Sequence, residues 1–379
     1  MSDERPIMIT GASGFVGARI AEMFYLNGWG KPRAVIRNWT RAARIARLPL
    51  DVALCDIMEP DQVRTATKGS RAVVHCAYTN DRDVIVEGTR NLLKAALDEG
   101  VDRFIFMSTA EVYGSGARGD IAETAMCEFT GNAYGDAKIE AERLCWEFEG
   151  LGLPVTILRP PLVYGPFGVS WTIDVAERLQ SGNWGVFEDI GEGLCNLVYV
   201  DDLVHAVRLA IEQDTAVGEA FNINGPQVET WNQYFKRFNE TLGLPPLAAV
   251  SPSHTRLKSA VMDRAGKFIH LCVDPFQDRL MKIYLRGGTM SKVMARVKQT
   301  LDTTPSSAEL NNLYSRRAHY VIDKAERLLG YVPAFGLDRG LELSVAWLRH
   351  HGFVDDDTTC VSNSHLQEST AATAAQDAS

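Results

Sequence analysis

Tyr134 and Lys138 stand four residues apart in Tyr134-Gly135-Asp136-Ala137-Lys138, at the start of a helical run. On a helix that spacing puts both side chains on one face, so an ammonium lies beside a phenol and favours its phenolate. A phenol titrates near pH ~10 and needs such help to act as a base near neutrality. Upstream, Met107-Ser108-Thr109-Ala110-Glu111-Val112-Tyr113-Gly114 ends an apolar run with hydroxyls able to bond a substrate alcohol or carbonyl oxygen. A Tyr-x-x-x-Lys pair alone is an ordinary helix pair. It gains meaning only downstream of an element that binds a cofactor.

Thr10-Gly11-Ala12-Ser13-Gly14-Phe15-Val16-Gly17 is such an element. It follows the apolar run Pro6-Ile7-Met8-Ile9 and opens an amphipathic run from Ala18 to Trp29, which reads as strand, tight turn and helix. Gly11 turns the chain off the strand, Gly14 admits a pyrophosphate to the backbone N–H groups, and Gly17 lets the helix pack on the sheet. Three glycines in isolation are weak evidence; in this context they predict dinucleotide binding.

Further strands are expected at Ala34–Ile36, Val52–Leu54, Ala72–His75, Phe104–Met107 and Val155–Leu158, with helical runs such as Gly88–Leu97 and Ala137–Phe148 between them. Such alternation predicts an α/β fold, a doubly wound parallel sheet whose strand ends hold the ligand. Residues 1–165 are expected to form this Rossmann domain, with 195–225 returning to it. Residues 166–194 and 226–352 form a smaller, mainly helical substrate lobe, and 353–379, rich in Ser, Thr, Ala, Asp and Gln, a disordered tail.

A net charge of -9 argues against nucleic acid as a partner. Seven scattered cysteines without a C-x-x-C pair suggest reduced thiols, no zinc site and a cytoplasmic location. No leader is expected ahead of the first strand, and no apolar run reaches membrane-span length. His75, His205 and His319 lack metal-ligand spacing and read as structural.

From Pro6 to His351 the chain resembles the extended short-chain dehydrogenase/reductases, the NAD-dependent epimerase/dehydratase group. The resemblance rests on the glycine turn, Cys55-Asp56-Ile57, Val74-His75-Cys76-Ala77, residues 108–114, the Tyr134/Lys138 pair, Leu158 to Pro166, Val198 to Leu203 and Lys324 to Tyr331. It implies Tyr134 as acid/base, Lys138 as the group that lowers its pKa and holds the nicotinamide ribose, and Thr109 as the orienting hydroxyl. It implies Asp56 and the Ile57 backbone at the adenine, Ala77 and Tyr78 along the cofactor groove, and Pro161 to Val163 near the nicotinamide. Ser108, Glu111 and Leu162 would face the substrate. A homodimer through the helices of Gly88–Leu97 and Tyr134–Phe148 is also implied, although their apolar residues would serve a core equally well.

NAD calls for an acid at the end of the second strand. Here the chain reads Ile36-Arg37-Asn38, and an arginine suits a 2′-phosphate, so NADP is favoured over NAD. Arg44 and Arg47 are expected on a solvated helix face. Ala110-Glu111 replaces the Asp-Glu pair of sugar dehydratases, which argues against dehydration. Leu162 and Cys195 stand where nucleotide-sugar epimerases carry a polar residue and an arginine. The expected activity is hydride transfer at a sugar-type hydroxyl or ketone, on a nucleotide- or phosphate-bearing sugar. The alternatives are an NADPH-dependent reductase of the dihydroflavonol-reductase or 3β-hydroxysteroid-dehydrogenase type, and a non-catalytic dinucleotide-binding module. Between Val250 and Tyr320, twelve Lys/Arg stand against five Asp/Glu. That stretch reads first as a helix with a solvated basic face, and less readily as a phosphate-binding or peripheral membrane surface.

Overall fold

The structure, a computed structural model, describes residues 4–182, 184–188, 190–250 and 309–354. Most of the basic stretch and the tail from residue 355 lie outside the described residues. Seven parallel strands form one sheet: β1 (Pro6–Thr10), β2 (Lys31–Ile36), β3 (Asp51–Leu54), β4 (Ala72–His75), β5 (Arg103–Met107), β6 (Val155–Arg159) and β7 (Glu219–Asn222). Their order is β7-β6-β5-β4-β1-β2-β3. Strands covered on both faces read as continuous apolar runs, and every residue of β4 and β6 is buried. The order reverses at β1, which pairs with β2 on one side and β4 on the other, so a crevice opens above their carboxyl ends.

Side chains alternate across the sheet and build two cores. Ile7, Ile9, Val74 and Ile105 pack under α1 (Phe15–Leu26) with residues such as Leu203 and Phe221. Met8, Val73, Phe104 and Phe106 pack on the other face with Leu92 and Leu144. Helix α1 begins three residues before the expected Ala18 because Gly14 caps it, and it ends at Leu26 because Gly28 takes a φ of 65°. Helices α2 (Pro60–Thr67), α3 (Arg82–Glu99) and α4 (Ala133–Glu149) follow the strands they cross between.

Beyond β6, α5 (Asp174–Gln180) leads towards α6 (Val200–Glu212), which returns the chain to the sheet at β7. A third core, with Trp231, Tyr234, Phe235 and Phe238 of α7 (Trp231–Leu242), packs on α5, with α8 (Asp323–Leu329) and α9 (Leu337–His350) completing the described helices. Strand 317–320 pairs with 118–121, which draws this second lobe to the rim of the crevice. Buried Asp202 reinforces the junction by accepting the Ala334 and Phe335 N–H groups at 2.8 and 3.1 Å. Among the described residues no helix is long and apolar enough to cross a membrane.

Candidate active site

Tyr134 stands in the first turn of α4, where Asn132 accepts its N–H at 3.2 Å. One turn on, Lys138 is buried and donates to the Met107 carbonyl at the end of β5, 2.8 Å away. Its ammonium lies 4.6 Å from the Phe106 ring centroid and 5.9 Å from that of Tyr134. Gly135 permits this close packing, since a Cβ there would come within 3.2 Å of the Glu111 carbonyl. Thr109 caps the 3₁₀ turn Ala110–Tyr113 by accepting the Glu111 N–H at 3.2 Å. A hydroxyl so engaged still has its own proton to donate. Tyr78, 70% exposed, leans its ring on Tyr134 at a centroid distance of 5.3 Å and forms a wall of the crevice.

The expected effect of Lys138 on Tyr134 is not met by the protein's own groups. Burial pushes the Tyr134 phenol well above its ordinary value, and the Tyr78 phenol and Glu111 carboxylate add to the shift. Burial also lowers Lys138, to about 8. Tyr134 is therefore held as a neutral phenol, the form that donates a proton.

Two residues expected at the substrate have other partners. Ser108 is buried and donates to Glu142 at 2.5 Å. Glu111 accepts from both Arg316 terminal nitrogens, at 2.6 and 3.1 Å, which binds the second lobe to the strand end carrying Thr109. Behind the site, Glu142 takes Arg159 at 2.9 and 2.6 Å, while Arg159 donates to the Tyr113 hydroxyl at 2.9 Å. Sequence reasoning missed this pair. Its signal was present: Tyr134, Lys138 and Glu142 recur every four residues, and Arg159 is a charged residue at the end of a strand that otherwise reads Val-Thr-Ile-Leu.

The glycine turn fits a dinucleotide. A Cβ on Gly11 would meet the Cys76 carbonyl at 2.7 Å, and one on Gly17 the Gly11 carbonyl at 2.4 Å, whereas only the Gly11 carbonyl, at 3.2 Å, approaches that of Gly14. Helix α1 has no side-chain cap and no acid in its first turn, which leaves the N–H groups behind Ser13 and Gly14, around Phe15 and Val16, to an anion. Arg37 is exposed just beyond β2. Asp56 accepts the Met58 N–H at 3.0 Å through one oxygen, and the Ile57 carbonyl accepts Asn91 at 3.0 Å. Ala77 is half-buried beside the turn, and Pro161, Leu162 and Val163 are half-buried in the segment that follows β6.

Arg44 does not lie on a solvated helix face. The segment forms short 3₁₀ turns, and Arg44 binds Glu22 at 3.2 Å and covers the Phe167 ring at 3.9 Å. Arg47 joins the same carboxylate. No cluster of His, Cys, Asp or Glu suited to a metal occurs among the described residues.

Buried His75 packs on Phe106 in a tilted contact at a centroid distance of 5.6 Å, with Lys138 over that same ring. Burial first, then the Lys138 charge, lowers His75 from 6.5 to about 3. A depressed pKa means that the unfolded chain takes up the proton first, so the stabilisation is complete above ~6.5 and is lost as pH falls towards ~3. Full loss amounts to roughly 5 kcal/mol. Asp202, raised to about 6 mainly by burial, works in the opposite sense over part of that range. Urea unfolding midpoints measured from pH 7 to 4 are expected to fall more steeply for the wild type than for His75→Gln; parallel curves would contradict this.

Comparison with known proteins agrees with this geometry. The family model described as "NAD dependent epimerase/dehydratase family" matches residues 7–224. The UDP-glucose 4-epimerase of Vibrio cholerae is 30% identical over 243 residues, covering 60% of this chain and 73% of its own. The 3-beta-hydroxysteroid dehydrogenase of Mycolicibacterium neoaurum is 27% identical over 360 residues, covering 88% and 89%. In fold, the chain is similar to the UDP-glucose 4-epimerase of Thermotoga maritima solved with UDP-glucose (TM-score 0.67, 23% identity, 91% of this chain and 99% of that one). It is also similar to the UDP-glucuronic acid 4-epimerase of Bacillus cereus in complex with NAD (TM-score 0.65, 19% identity, 91% and 99%). The glycine turn at the head of a seven-stranded parallel sheet and the match across residues 7–224 lead to one conclusion: this chain belongs to the NAD-dependent epimerase/dehydratase family.

Proposed function

We propose that this enzyme is an NAD(P)-dependent oxidoreductase or epimerase acting at a hydroxyl-bearing or ketone carbon of an activated sugar, with Thr109, Tyr134 and Lys138 as its reactive groups. The observation that carries the proposal is Tyr134 at the crevice wall, one turn ahead of a buried Lys138 anchored to the Met107 carbonyl at 2.8 Å. When bound, the dinucleotide supplies the hydride acceptor or donor. Thr109 directs its hydroxyl proton at the substrate oxygen, and Tyr134 gives a proton to a ketone or takes one from an alcohol. Lys138 holds the helix face against β5 and adds positive charge next to the phenol.

A second reading, an NADPH-dependent ketone reductase with an apolar substrate, is favoured by half-buried Leu162 and buried Cys195, which stand where the resemblance expects an asparagine and an arginine in nucleotide-sugar epimerases. The nucleotide released on denaturing freshly purified protein tests both readings. Near-stoichiometric NAD(H) supports a cofactor recycled in place, as an epimerase requires. An empty protein preferring NADPH supports the reductase.

Arg37 supports NADP. Loss of a charge-assisted hydrogen bond costs about 1.5–3 kcal/mol, or roughly 10–100-fold in affinity. Arg37→Ser is therefore expected to weaken NADPH binding by that factor and leave NADH unchanged in fluorescence titrations. Equal loss for both cofactors would refute a 2′-phosphate contact.

A further inference from the structure

His75 joins a continuous hydrogen-bonded chain beneath the cofactor crevice. Its Nδ1 lies 2.8 Å from the Thr10 hydroxyl, and its Nε2 3.1 Å from the Thr89 hydroxyl on α3. Thr10 Oγ1 accepts the N–H groups of Cys76 at 3.2 Å and Ala77 at 3.3 Å. Thr89 Oγ1 donates to the Ile85 carbonyl at 2.5 Å.

Counting protons fixes the direction of the chain. Two N–H groups fill both lone pairs of Thr10 Oγ1, so that hydroxyl donates to Nδ1. Thr89 gives its only proton to Ile85, so Nε2–H donates to Thr89. His75 is thereby required to be the neutral Nε2–H tautomer. A proton on Nδ1 would face a filled acceptor and displace one of the two N–H groups.

Those N–H groups belong to the chain leaving β4, which closes one side of the crevice. The Cys76 carbonyl is the atom that a Cβ on Gly11 would strike at 2.7 Å, and the Ala77 Cα would be met at 2.9 Å. One residue later, Tyr78 rests on Tyr134 at 5.3 Å. The backbone around Gly11 and the ring against the reactive phenol are thus set from one buried imidazole.

We propose that His75, acting through the Thr10 hydroxyl, is a positioning residue that fixes the Cys76-Ala77-Tyr78 segment as the wall of the dinucleotide groove, an inference that rests on dinucleotide binding at the glycine turn. Three variants test it: Thr10→Val, which keeps the shape and removes the hydroxyl, Thr10→Ser, which keeps the hydroxyl, and Thr89→Val, which cuts the far end. The readouts are the dissociation constants for NADPH and NADH by fluorescence titration and the tautomer of His75 by two-bond ¹H–¹⁵N NMR. Thr10→Val is expected to weaken the preferred cofactor about tenfold or more, the equivalent of ~1.4 kcal/mol. Thr10→Ser should restore binding to near the wild-type value, Thr89→Val should give an intermediate loss, and wild-type His75 should show the Nε2–H tautomer.

A Thr10→Val protein that binds the cofactor as the wild type does overturns the inference, as does an Nδ1–H tautomer. So does a Ser variant no tighter than the Val variant, since packing alone would then account for the loss. If Thr10→Val does not fold, the Ser and Thr89→Val titrations and the tautomer decide. A wild-type protein that binds neither dinucleotide refutes cofactor binding itself, and the inference with it.

Discussion

Tyr134→Phe is expected to lower turnover by about 10²–10⁴-fold, the usual contribution of a positioned acid–base group, while the affinity for the dinucleotide stays within about twofold. Deleting the phenolic oxygen leaves the ring that packs on Tyr78 at 5.3 Å and leaves Lys138 bonded to Met107. Nothing that shapes the glycine turn is touched. The loss should therefore fall on kcat and kcat/KM together, as when an interaction made in the transition state is removed. The measurement is steady-state turnover with whichever substrate the nucleotide experiment singles out, beside a cofactor titration of both proteins. Unchanged turnover would remove Tyr134 from the chemistry and revive the alternative of a cofactor-binding module. Loss of cofactor affinity as well would mean that the substitution had disturbed the groove.

At neutral pH the largest effect of a single substitution on stability is expected at the buried pair behind the site. Arg159 and Glu142 have side chains 5% and 4% exposed, and their two direct contacts are 2.9 and 2.6 Å. Arg159→Leu leaves Glu142 as a buried carboxylate whose one remaining hydrogen-bond partner among the described residues is the Ser108 hydroxyl, and releases the bond to the Tyr113 hydroxyl. Breaking such a pair costs about 3–5 kcal/mol. Glu142→Gln should cost less, because a neutral amide retains one hydrogen bond to the guanidinium. Replacing both by leucine should recover much of the loss, since the desolvation cost of both charges disappears with them. Urea unfolding of the three variants at neutral pH is the test. An Arg159→Leu midpoint equal to that of the wild type would show that the pair contributes nothing net.

The sequence by itself determined the parts of this protein that depend on local rules. Continuous apolar runs placed four of the five parallel strands expected after the first within one residue of their ends and the fifth, β2, within three, because a strand buried on both faces has no polar alternation to blur it. The glycine turn was readable because its glycines meet backbone at 2.7 and 2.4 Å, a constraint that leaves no choice of side chain at Gly11 and Gly17. The four-residue spacing of Tyr134 and Lys138 was readable for a similar reason, since one helix turn puts both on one face.

Tertiary structure decided what each polar side chain is bonded to. Ser108 and Thr109 are adjacent hydroxyls at one strand end, yet the strand geometry turns Ser108 onto Glu142 and leaves Thr109 at the 3₁₀ turn beside the crevice. Glu111 is held by Arg316, 205 positions away, a partner that no local pattern announces. Arg44 left its expected solvent-facing role because Glu22 and the Phe167 ring converge on it from distant segments. Charge states followed the same logic: spacing suggested that Lys138 would favour a Tyr134 phenolate, but burial of both groups outweighs that proximity. Burial and long-range partners are properties of the packed chain, whereas turn chemistry and helix spacing are properties of a few consecutive residues.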